Sequence, residues 1–153
     1  VITRYAFCTS VFDFEECILR KQIFIAVSII AFFTSATAPA ANEQTLSDVA
    51  RALNLFGVLE VERKGPAIRS LMDHPRITPE MSFPMAMAVC SVQWDRPTAF
   101  NGVETVHITN RFSAQGYVLE NPEKTCADVG LLKTDDARIF LPGHMHLHFR
   151  GDF

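Results

Sequence analysis

The sequence predicts an α+β domain: an N-terminal helix, joined by a short second helix, packed on an antiparallel sheet of about five strands. Two observations carry this expectation. Apolar side chains recur at helical spacing from Thr45 to Phe56, and from Met85 onward the chain breaks into short apolar or alternating runs separated by turn residues. A β-sandwich with a helical lead-in is the alternative that the same pattern allows.

The first helix is the firmest element. Leu46, Val49, Ala50, Leu53 and Phe56 form one apolar stripe, Thr45 with Asp48 resembles a capping box, and Gly57 offers the left-handed stop. Val58 to Arg63 alternates glutamates with apolar residues, as a half-buried strand would. Lys64-Gly65-Pro66 breaks the chain, and Pro66 is placed to start a short helix through Ala67, Ile68, Leu71 and Met72. Residues 76 to 84 read as an extended loop.

Met85 to Trp94 is expected as a strand, with Ala86, Ala88, Cys90, Val92 and Trp94 on one side. Asn101-Gly102 is a hairpin signal ahead of a strand from Val103 to Thr109. Further strands are expected at Tyr117 to Glu120, within Ala127 to Leu132, at Ala137 to Leu141 and at His144 to Phe149, the last two joined by Pro142-Gly143.

The first forty residues have a different character. Arg20-Lys21 precedes an apolar run from Ile23 to Phe33, and small residues ending in Ala38-Pro39-Ala40 follow. A basic start, a short apolar centre and a small-residue ending are the pattern of a secretory signal peptide. The expected organisation is therefore a leader at 1–18, a signal peptide at 19–40 cut before Ala41, and one mature domain at 41–153. The rival reading is an uncleaved anchor, although the apolar run is well short of the ~20 residues that a bilayer crossing needs. An exported protein of the periplasm or extracellular space would meet oxidising conditions. Cys90 and Cys126, the two cysteines of the mature part, are then expected to pair. Neither has the close cysteine partner that a thiol redox motif or a zinc knuckle would bring.

With 14 Lys and Arg against 17 Asp and Glu, the net charge of −3 comes with no basic cluster, which speaks against a nucleic-acid partner. The chain has no GxSxG, HExxH or glycine-rich phosphate loop, and the sequence leans away from an enzyme. The expectation is a non-catalytic binding or interaction protein with a protein or small-molecule partner, touching a membrane only if the leader stays attached. Trp94 is a candidate ligand contact, with ordinary packing as the commoner use of such a ring.

His144, His146 and His148 raise the one sharp alternative. On a strand they share a face, with neighbours about 6.5–7 Å apart. Two imidazoles at that spacing can converge on one ion, whereas the third starts too far away. A site would need a donor from elsewhere, and His107 is the candidate. Nitrogen-rich ligation would suit zinc, copper or nickel. The competing reading is a solvated strand face that binds nothing, and a membrane-anchored accessory subunit is a third reading if residues 22 to 41 persist.

Overall fold

The computed structural model describes residues 38–153, and side chains from Glu43. The expected leader at 1–18 and most of the expected signal peptide lie outside the described residues. Helix α1 spans Ala38–Leu53 and runs through a 3-10 turn, Asn54–Phe56, to Gly57. Gly57 adopts φ 71° and donates its N–H to Asn54, so the helix stops where a residue without Cβ permits the left-handed turn. Thr45 does not cap the helix. It lies inside it, buried, where its Oγ1 donates to the Ala99 carbonyl at 2.9 Å and accepts from Arg96 Nη2 at 3.0 Å.

Strands β1 (Val58–Lys64) and β2 (Ala67–Met72) form an antiparallel hairpin about Gly65, whose φ is 59°. The expected second helix is therefore a strand. Ile68, Ser70 and Met72 are buried in alternation, a period of two that the chain takes up because β1 and β3 flank it. Arg63 tightens the turn by donating from Nε to the Gly65 carbonyl and from Nη2 to the Gly102 carbonyl, both at 2.8 Å.

Where the sequence suggests a loop and then a strand, the chain forms one long helix, α2 (Pro79–Asp95). Thr78 Oγ1 accepts from Met81 N–H at 3.4 Å, and Pro79 occupies the first turn, where its missing N–H costs nothing. Its own backbone N–H and Thr78 also hold the Glu80 carboxyl below its ordinary range. Met85, Ala86, Val89, Cys90, Val92 and Gln93 are the buried side, a helical set that the short-range alternation of small residues conceals.

Because α2 intervenes, β3 (Thr105–Thr109) enters parallel to β2. Asn101-Gly102 thus closes a turn after the helix and has no preceding strand to pair. Strand β4 (Gln115–Glu120) is antiparallel to β3. Helices α3 (Pro122–Val129) and α4 (Thr134–Phe140) replace the strands expected at 127–132 and 137–141, and a 3-10 turn, Leu141–His144, replaces the Pro142-Gly143 hairpin. Strand β5 (Met145–Phe149) then pairs antiparallel with β4.

The result is an α+β fold with a five-stranded sheet in the order β1-β2-β3-β4-β5, mixed rather than wholly antiparallel. By register, Ile68, Val106 and Leu119 share one face, and that face meets Val49 and Leu53 of α1, Met85 and Val89 of α2, Val129, Ala137, Phe100 and Leu141 in a single apolar core. The expected disulfide is present. Cys90 and Cys126, both fully buried, join α2 to α3 with an S–S distance of 2.07 Å.

Candidate functional site

The opposite face of the sheet carries the residues of interest. Register aligns Arg69, His107, Val118 and His146 across β2 to β5, with His148 facing Gly116 one pair further along. A Cβ at Gly116 would strike the Ile108 carbonyl, so only glycine permits this close approach of β4 to β3.

The histidine triplet does not act as a set. His144 lies in the 3-10 turn before the strand, where its ring stacks on Phe140 at 4.1 Å and its Nδ1 donates to the Phe140 carbonyl at 3.0 Å. His146 is exposed and pairs through Nδ1 with Glu120 Oε1 at 2.8 Å. His148 is 1% exposed and meets His107, itself 4% exposed, with the two Nδ1 atoms 3.0 Å apart and the rings edge to face. Of the three, it is His148 that lies within hydrogen-bond reach of His107. Among the described residues, no group of three or more His, Cys, Asp or Glu side chains is arranged to hold a metal ion.

A line of polar contacts runs through the pair. His107 Nε2 lies 3.1 Å from Thr105 Oγ1, whereas His148 Nε2 is buried without a hydrogen-bond partner. One proton arrangement fits this best: His107 Nε2–H donates to Thr105, His148 Nδ1–H donates to His107 Nδ1, and the unpartnered His148 Nε2 carries a lone pair. The other arrangement would put an N–H on His148 Nε2, which forms no hydrogen bond of ordinary geometry and has only the pull of the Ser113 carbonyl on its ring to offset that cost.

Burial pushes the His107 imidazole down to about 4, and the nearby His148, His146 and Arg69 add to the shift while Asp152 opposes it. Burial likewise lowers His148, against the opposing pull of Asp152 and the Ser113 carbonyl. Thr105, His107 and His148 stand in the row that a nucleophile, base and orienting group would occupy, but in this proton arrangement His107 Nε2 already carries its proton and cannot take one from Thr105. A base so depressed is poorly matched to neutral pH, where general-base catalysis favours values near the working pH.

The chain folds back across this pair after β5. Asp152 Oδ2 accepts the Phe149 N–H at 2.7 Å, the Asp152 N–H returns to the Phe149 carbonyl at 3.2 Å, and the same carboxylate oxygen lies 4.0 Å from His148 Nδ1. Phe153 then lies over the sheet. Its ring is 5.5 Å from the His107 ring, 4.8 Å from the Arg69 guanidinium and 5.8 Å from Lys64 Nζ. Arg69 is held in place by donating to Ser113 Oγ at 2.8 Å and by pairing with Glu62. Arg69 and Phe153 are missing from the sequence expectations. A period-two reading of residues 67 to 72 would have put Arg69 on this face, but no local signal places Phe153.

Trp94 lies at the end of α2, 41% exposed, with its Nε1–H donating to the Cys126 carbonyl at 2.6 Å. Its indole abuts Gly130, where a Cβ would come within 2.6 Å of Nε1. Its visible work is to tie α2 to α3 beside the disulfide.

The fold and this face define an α+β domain with helices on one side of a mixed sheet and a histidine-centred polar cluster on the other. No family model, curated protein or solved structure matches the chain.

Proposed function

We propose that this is a small exported protein, stabilised by its disulfide, that acts in the periplasm or outside the cell by binding a protein or small-molecule partner without catalysis. The observation that carries the reading is the buried Cys90–Cys126 disulfide, because cytosolic thiols are kept reduced in most organisms. The apolar run from Ile23 to Phe33 behind Arg20-Lys21 supports it from the sequence. The depressed His107 base speaks for binding over catalysis. So does β5, an edge strand among the described residues, on which Leu147 is 47% and Phe149 62% exposed.

Alkylation in denaturant under non-reducing conditions, after acid quenching of intact cells and followed by mass spectrometry of the protein, tests the compartment. Cys90 and Cys126 are expected to resist alkylation until reductant is added, in a chain whose N-terminus is Ala41. Full alkylation of both thiols before reduction would overturn the exported reading.

A further inference from the structure

The geometry points to the segment following β5, Arg150 to Phe153, being an acid-released strap: it seals the His107–His148 pair, and protonation of that pair opens it while the rest of the fold stays intact. The contact itself sets the condition. Two facing Nδ1 atoms at 3.0 Å form a hydrogen bond only while one of them lacks a proton. An added proton has two places to go. On His107 Nδ1 it removes the acceptor, and on His148 Nε2 it puts a charge on a buried atom that forms no hydrogen bond of ordinary geometry, a cost that the Ser113 carbonyl offsets only in part. Either outcome disfavours the closed form, and opening the strap lets water reach both rings.

The strap is a light structure, held by the two contacts between Phe149 and Asp152 and by the Phe153 ring. Among the described residues, Arg69 on β2, His146 on β5 and Asp152 in the strap act on the pair directly, and Glu62 and Lys64 on β1 and Glu120 on β4 stand behind them, paired with Arg69, over the Phe153 ring and paired with His146. His146 and Arg69 disfavour a charge on both rings, and Asp152 favours it. Asp152 therefore offsets part of the penalty and brings release to a milder pH than burial alone would set. The device does not depend on where the protein works.

Amide exchange followed by NMR between pH 7 and 5, corrected for the intrinsic pH dependence, tests the strap. The Phe149 and Asp152 amides report its closure directly. For one histidine held well below its ordinary value, their protection is expected to fall by about tenfold or more over that range. The Ile108 amide in the sheet should keep its protection. Imidazole titration on the same sample should show His107 and His148 gaining protons as the strap amides lose protection, and the variant His146→Gln, which removes a group that disfavours charge on both rings, should release the strap at a pH no lower than the parent. In His107→Gln the pH dependence should shrink to threefold or less. Should that variant fail to fold, the parent titration alone decides. Strap protection unchanged down to pH 5, protonation of the pair with the strap still closed, or simultaneous loss of protection at Ile108 would each overturn the proposal.

Discussion

Val106 and His107 are neighbours in β3, 0% and 4% exposed, yet they are buried by different physics. Val106 faces the helices, where apolar side chains and a covalent bridge exclude water. His107 faces the other way, where a second histidine, Thr105 and Phe153 exclude it. Burial by hydrocarbon needs no particular protonation state. Burial by a pair of imidazoles holds only while both stay neutral, so one side of the sheet is unconditional and the other is set by pH.

Truncation on the helical side should have the largest effect. Phe100, fully buried in the core, should cost about 3–5 kcal/mol when replaced by alanine, read as a lower midpoint in urea unfolding at pH 7. A change below about 1 kcal/mol would mean that the helical layer is not the main source of stability. Breaking the disulfide comes next. The double substitution Cys90→Ala and Cys126→Ala opens a loop of sequence separation 36 and should cost roughly 3–4 kcal/mol on the chain-entropy account. Reductant should destabilise the parent protein and leave the double variant unchanged.

The histidine side gives the pH dependence. His107 in the folded chain lies below its unfolded value, so the unfolded state takes up a proton first. Its contribution is fully present above about pH 6.5 and is lost as pH falls through the folded value of about 4. The loss should reach about 2 kcal/mol by pH 5 if the strap stays shut, and less if strap opening supplies a cheaper route to hydration. Urea unfolding at pH 7, 6 and 5 measures it, and His107→Gln should flatten the slope while Phe100→Ala leaves the slope in place. The smallest effect belongs to the surface. Lys124 and Asp128 pair on an exposed turn of α3, and Lys124→Ala should change stability by less than about 0.5 kcal/mol at any of these pH values.

The sequence was legible where a segment's own pattern matched its final environment. The stripe of α1, its stop at Gly57, strand β1, the strand at Tyr117 to Glu120 and the pairing of Cys90 with Cys126 all appear as the residues imply. It was misleading in the segments that form the buried helical layer. Met85 to Trp94 is apolar on several sides, so alternating small residues imitate a strand. Its helical signal lies upstream, in the cap Thr78 and in Pro79, beyond the loop reading of 76–84. Residues 127 to 141 are short and weakly periodic, and their helices form under contact with α2 and the 3-10 turn.

The candidate site divides in the same way. HMHLHF, residues 144 to 149, identified the strand and the interest of its histidines, and nearest-neighbour alternation put His146 and His148 on one face. What the sequence alone determined was which residues could alternate, which cysteines could pair and which segment was unlike the rest. Only the tertiary structure decided that His144 drops out into a turn, that β3 brings His107 to His148, and that Arg69 and Phe153 close over them. The reason is range: periodicity is a property of a few consecutive residues, whereas this cluster joins positions brought together by a parallel crossover and a returning strand.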